Sequence, residues 1–434
     1  MNEPVQDGGL SRRALLRRAG GVALAGGGAA ALAGCENTTT PVAAGGTGSG
    51  GGKGLLGDPT AGGPVDAVGI PLARRDYPVT LPKFRDPVKA GAPEKGGELQ
   101  VYNYSDYLNP AVLKAFSKQW GTEIKVTTFD TLDEAFSKLT SGLEFDLIFT
   151  TPDQVSRLVG RQLVQPLNYE LLPNLRRNIW PELHSPAYDV GPRYTVPYVV
   201  YTTGIGWRND RLRFDPSRLD QPWDAFWKAT GERGRVAVLD DKREALGMAM
   251  MRRGVADLNT ESTDLVARAG EDLKELDRSV GVKVSISDYE TLPAGRTWLH
   301  QSWSGDLISA VLSYLPKGTK PDVLSYWYQP QGGPVFNDCI CVATKATKPA
   351  LAHRFLDYIL EAKVAYENFA GYVGYQPPQN TIDPTALLDK GIVPPSLSQA
   401  VVTREAYAGG NAYLTLTPPG DQQWSKAWAS FRSG

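Results

Sequence analysis

The chain is poor in the residues that most often carry catalysis or bind metals. Its 434 residues include only three histidines, His184, His300 and His353, far apart in sequence, so a zinc cluster or a Ser-His-Asp triad has little to build from. Cysteine is equally scarce, at Cys35, Cys339 and Cys341. The last two flank one residue in the apolar run CICV. On a strand they share a face as parallel side chains, further apart than a disulfide spans, and are expected to be buried thiols. Positive charge is not in excess: 46 Lys and Arg stand against 47 Asp and Glu, which gives no electrostatic footprint for nucleic acid. What remains is a globular composition, 41% hydrophobic, in a chain long enough for two lobes. No cofactor or metal site is expected.

The N-terminus is the most specific local feature. SRRALLRR, from Ser11 to Arg18, precedes the Ala/Gly/Leu stretch GGVALAGGGAAALAGC, which ends at Cys35. A charged region, a short apolar region and small residues at a cleavage zone make a signal peptide, too short to span a membrane as a stable helix. The pair Arg12-Arg13 is similar to a twin-arginine signal, although Ala14 delays the leucine that should follow it. Leu32-Ala33-Gly34-Cys35 resembles a bacterial lipobox, whose cysteine is lipidated after cleavage. Residues 1–35 are therefore expected to export the protein and anchor it outside the cytoplasmic membrane. Residues 36–97, rich in Gly, Pro, Ala and Thr, are expected to form a flexible tether becoming an extended arm.

From Glu98 onward strands and helices alternate. ELQVYNY reads as a strand. In NPAVLKAFSKQW, Asn109 is a cap, Pro110 takes the first helical position, and Val112, Leu113, Phe116 and Trp120 share a face. EIKVTTF is a second strand, TLDEAFSKLTSG a helix with Thr131 and Glu134 at capping-box spacing, and FDLIFT a third strand. This rhythm predicts parallel pairing with helices on the sheet faces, where ligands gather at the carboxyl ends of strands. A crossing stretch, YTVPYVVYTTGIGW, leads to a second unit with the strands RVAVL and VKVSI and the helix DLISAVLSYL. PVFNDCICVAT and a long helix, KPALAHRFLDYILEAKVAYENFA, follow.

VYNYSDYLNP poses a specific question, because strand alternation puts Tyr102, Tyr104 and Asp106 on one face. A buried carboxylate is costly unless it is paired. Asp338, inside VFNDCICV, poses the same problem.

These residues, from 98 to about 380 and in order, resemble the extracytoplasmic spermidine/putrescine-binding proteins of ABC transporters. The resemblance rests on YNYSDYLNP, FDLIFTTPDQVSRL, DDKREALGMAM, SWSGD, GGPVFNDCICVAT and GYVGYQPPQN. It implies an α/β fold of the two-lobed periplasmic-binding-protein type II, with the ligand between lobes: 98–205 and 336–381 in lobe one, 206–335 and 382–434 in lobe two. It also implies a monomer working with an ABC permease and its ATPase. Carried over by position, the ligand site comprises Tyr104, Ser105, Asp106 and Tyr107; Thr151 and Asp153; Asp241 and Glu244; then Trp303, Phe336, Asp338 and Tyr375. Tyr104 and Phe336 stand where the family favours tryptophan, Asp106 where glutamate is common, and Asp153 where an aromatic is common. The far C-terminal contact has no assignable position in NAYLTLTPPGDQQWSKAW.

Carboxylates and aromatic faces suit a polyamine. The acids neutralise separated ammonium groups; the rings cover the methylene links and add cation–π attraction of ~0.5 to 2 kcal/mol each. Every residue also has a plainer role. Asp240 or Asp241 can simply cap a helix, Glu244 can complement a helix dipole, and Tyr375, Phe336 and Trp303 can be packing aromatics. Two other functions use similar residues: a lipid-anchored glycoside hydrolase with paired acids, and a binding protein for a sugar or amino acid. Anions are disfavoured, because the matched positions hold acids and the nearby basic residue is Arg243.

Overall fold

The computed structural model describes residues 65–433, except 67, 68, 75, 76 and 192. The expected signal over 1–35, with Arg12, Arg13 and Cys35, lies outside the described residues, as does the tether before residue 65. No helix among the described residues is long and apolar enough to cross a membrane.

The first unit runs β1 (Glu98–Tyr104), α1 (Pro110–Trp120), β2 (Glu123–Phe129), α2 (Leu132–Thr140), β3 (Leu147–Thr150) and α3 (Pro152–Gly160). The caps follow the sequence: Asn109 accepts from the N–H of Ala111, and Thr131 from that of Glu134, satisfying donors that a helix start leaves open. β1 pairs in parallel with β2 and β3. β4 (Val196–Arg208) then crosses the molecule with all thirteen residues buried. The second unit holds β5 (Val236–Val238), α4 (Lys242–Arg252), α5 (Thr263–Val280), β6 (Lys283–Val284), β7 (Leu299–Trp303), α6 (Ser304–Ser309) and β8 (Leu324–Trp327). β9 (Val335–Val342) returns to the first, followed by α7 (Pro349–Ile359), and α8 (Pro418–Arg432) packs on α5 and α4.

The strand order is β2-β1-β3-β9-β4-β7-β5-β6, with β8 also on β4. Along β4 the partner changes: residues up to Thr202 pair with β9, and from Thr203 onward with β7 and then β8 as well. One strand thus belongs to two sheet halves, and a two-lobed α/β body results.

Three expectations are corrected. The strand in VKVSI is only two residues long. The long helix after β9 breaks at Leu360, whose carbonyl accepts from the side-chain amides of Asn178 (2.8 Å) and Gln379 (3.1 Å); the helix resumes at Ala362–Asn368. The arm before Glu98 does not hang free. Ile70, Leu72, Ala73, Val79 and Leu81 are buried, and four of them pack with Tyr102, Phe129, Ile148 and Val155 of the first unit. Val79 exchanges backbone hydrogen bonds with Ala187 and Val190, and Glu94 accepts from the N–H groups of Ala350 and Leu351 at the start of α7. Its proline and glycine content had suggested a coil, but five apolar side chains suffice to pin it.

Leu81 is 0% exposed, so Leu81→Ala is expected to lower the unfolding free energy by ~2–5 kcal/mol in a denaturant titration. A loss under about 0.5 kcal/mol, as at exposed sites, means that the arm contributes nothing to the fold.

Candidate functional site

The site forms where β1, β3 and β9 of lobe one face the α4 turn and β7 of lobe two. Asp338 sits on β9, 3% exposed, and its two oxygens accept from Tyr107 (2.8 Å) and Tyr201 (3.0 Å). Burial pushes its carboxyl up to about 7; the two tyrosine hydroxyls pull it down and Asp153 pushes it further up. Desolvation wins over two neutral donors because neither brings a positive charge.

Glu244, in the first turn of α4, is also 3% exposed. Its Oε1 accepts from the Thr203 hydroxyl and the Trp303 indole, both at 2.8 Å. Its Oε2 is buried with no hydrogen-bond partner among the described residues. Desolvation, then the neighbouring Asp241, raise this carboxyl to about 8. Asp241 is the N-cap of α4 and accepts from the N–H groups of Arg243 (2.7 Å) and Glu244 (3.1 Å). It keeps water-exposed surface in the cleft, yet protein crowds around it. Its carboxyl is raised by desolvation, against the Glu244 N–H and with Asp153 adding. The capping role and a role in the cleft therefore coincide in one residue.

Aromatic rings wall the space. Tyr201 stacks on Phe336 at 4.9 Å and 8°, with Trp303 and Tyr375 edge-on to it. Tyr107 meets Tyr104 and Tyr375 edge-on. The Tyr375 hydroxyl donates to Asp306 at 2.9 Å, whose carboxyl burial raises to about 6, beside the fully buried Asp288. Asp153 takes the Thr151 hydroxyl and the Gln154 amide (2.6 Å). Its backbone carbonyl accepts from Thr415 of the C-terminal segment at 2.5 Å, a contact from one lobe to the other. Burial, and after it Asp338, Asp153 and Asp241, push the Tyr104 phenol well up.

Nine predicted residues thus converge: Tyr104, Tyr107, Asp153, Asp241, Glu244, Trp303, Phe336, Asp338 and Tyr375. Thr151 acts through Asp153, and Ser105 is half-buried in the turn after β1. Asp106 departs from expectation. β1 ends at Tyr104, Asp106 adopts φ 57°, and its carboxylate is exposed, accepting from Tyr372 at 3.1 Å. Strand alternation had put it on the Tyr104 face; the turn takes it to the rim instead.

Three contributors were missed: Tyr201, Thr203 and Tyr413. The first two lie in a strand so uniformly apolar that nothing marks its polar atoms. Tyr413 packs on Phe336 at 5.2 Å, its buried hydroxyl has no partner among the described residues, and Glu244 and Asp241 act on it. It comes from the segment where no contact could be assigned. Arg243 is turned away: it donates to the carbonyls of Leu414 and Leu258 and to Asn259, between the rings of Tyr413 and Trp424. A separate hollow of about 320 Å³, lined by Arg208, Arg211, Arg235 and Trp298 among others, lies at the other end of β4. The guanidinium of Arg208 is engaged there by Asp210 and the Pro293 carbonyl.

Comparison with known proteins agrees with this fold. The spermidine/putrescine-binding periplasmic protein of Salmonella typhimurium is 25% identical over 302 residues, 68% of this chain and 83% of that one. The putrescine/agmatine-binding protein of Pseudomonas aeruginosa is 27% identical over 287 residues, 64% of this chain and 77% of that one. Among solved structures, a spermidine/putrescine ABC transporter substrate-binding protein from Streptococcus pneumoniae superposes with TM-score 0.62 at 20% identity, covering 78% of this chain and 99% of that one. The TpPotD lipoprotein of Treponema pallidum gives TM-score 0.63 at 19% identity, covering 78% and 100%. The profile of one family matches residues 111–392, and the chain belongs to that family, the bacterial extracellular solute-binding proteins.

Proposed function

We propose that the protein captures a polyamine between its lobes and delivers it to an ABC permease driven by an ATPase. The observation that carries this reading is a supply of buried carboxyl oxygen with no basic hydrogen-bond partner among the described residues. Asp338 in lobe one and Glu244 in lobe two are buried; among the described residues their donors are Tyr, Thr and Trp side chains, and Glu244 Oε2 has no partner there. An ammonium group at each acid supplies the missing charge, and the Tyr201–Phe336 stack with Trp303 and Tyr375 covers the methylenes between them. Tyr413 offers its free hydroxyl as the C-terminal contact. The names of the relatives, which bind spermidine, putrescine or agmatine, support the same class of ligand. The protein works as a monomer outside the cytoplasmic membrane, held there by a lipid on Cys35, and carries out no turnover.

Calorimetric titration of the purified chain with putrescine, spermidine and spermine is expected to show binding that salt weakens, with maltose silent. Asp338→Asn is expected to weaken it about 30-fold or more, the size of a lost buried charge pair. Heat from a sugar and none from any amine overturns the reading.

The raised carboxyls give a pH signature. Unfolded, Glu244 and Asp338 ionise near 4.5 and 3.8; folded, near 8 and 7. The ligand-free fold therefore holds protons that the unfolded chain has lost, and its stability falls as pH rises from about 4 through about 8. The melting temperature without ligand is expected to drop between pH 5.5 and 8.5, less in Glu244→Gln, and less with saturating spermidine, whose ammonium groups replace the protons. An equal drop in wild type and Glu244→Gln sinks the assignment.

Asp153 adds a carboxylate near Asp241 and Asp338, which favours amines of higher charge. In Asp153→Asn, affinity for spermine is expected to fall more than that for putrescine; an unchanged ratio removes this role.

A further inference from the structure

The arm before Glu98 touches both lobes, and we propose that it is a strap that latches them shut, with Arg74 as its catch. Its apolar residues are sunk into lobe one, as described above, and Ser156 of α3 donates to the Pro71 carbonyl at 3.4 Å. α3 is the helix that carries Asp153. Arg74 and Tyr77 exchange backbone hydrogen bonds of 3.1 and 3.0 Å. The Arg74 side chain reaches lobe two.

There the guanidinium donates to Glu261 at 3.0 Å and to the carbonyl of Thr415. Glu261 is already fixed, since it accepts from the backbone N–H of Thr417 at 2.9 Å and from the Thr417 hydroxyl. Thr415 is the residue whose hydroxyl reaches the Asp153 carbonyl. Strap, lobe two and the α3 start of lobe one therefore meet at one residue beside the cleft. An exposed ion pair would contribute little. This one is partly buried, at 19% and 29% side-chain exposure, and both of its acceptors are held in advance by other bonds, so little ordering remains to oppose it.

Opening the cleft moves Glu261 and Thr415 away from α3 and strips Arg74 of its two lobe-two acceptors, leaving it the Ala73 carbonyl at 2.8 Å. The strap thus adds to the closed state and slows release of whatever the cleft holds. It requires that the lobes move and does not depend on which solute binds.

The test uses the full chain with Arg74→Gln, Glu261→Gln and the double variant. Small-angle X-ray scattering without ligand is expected to show a larger radius of gyration in each single variant, and no further gain in the double. In stopped-flow measurements with spermidine, release is expected to be about tenfold faster, as for loss of a charge-assisted hydrogen bond, with association little changed. Thermal unfolding checks that each variant is folded, and Arg74→Lys is expected to recover part of the effect. Scattering and release both equal to wild type overturn the latch. If no amine binds, the polyamine reading has failed separately, and the scattering comparison alone decides for or against the strap.

Discussion

Carboxylates buried between two lobes, with no lysine or arginine among the described residues hydrogen-bonded to Glu244 or Asp338, set the terms for the rest of this molecule. Each is held by neutral donors in number enough to fix its position and too weak to offset its desolvation. The empty site resolves the conflict by holding protons near neutrality. In the proposed function an ammonium group supplies that charge instead of a proton, and the aromatic walls suit a cation that carries hydrocarbon.

Much of the fold was legible because its signals are local. Asn109 and Thr131 announce helix starts through hydrogen bonds that span two or three residues, and the strand–helix rhythm implies the parallel pairing of β1 with β2 and β3. The acids of the site were legible for a related reason. Asp338 sits in an otherwise apolar strand, and a charge there needs an explanation. What was not legible depends on long-range placement. Tyr201 and Thr203 are indistinguishable by pattern from their neighbours in a strand buried on both faces. Tyr413 reaches the site only because Arg243 and Trp424 position the C-terminal segment. The arm was misread because proline and glycine describe its backbone and say nothing of the groove on lobe one that Ile70, Val79 and Leu81 fill.

Asp106 shows the limit of periodic reasoning from the other side. Alternation holds only while a strand lasts, and β1 ends two residues before that aspartate. The left-handed turn at Asp106 lets the chain swing from the strand into the cap of α1. Tyr107, the next residue, is thereby delivered to Asp338, while the carboxylate that drew attention stays in water.

β4 passes through both lobes and changes partners between Thr202 and Thr203. Tyr201, just before that point, holds Asp338; Thr203, just after it, holds Glu244. In mechanical terms these two acids sit at the fulcrum, where a rotation of one lobe displaces them least. Thr415, Asp153 and Arg74 lie outside β4 and are joined to one another by hydrogen bonds. If the lobes turn about β4, as the latch proposed above requires, the grip on its two residues can stay assembled while those contacts break.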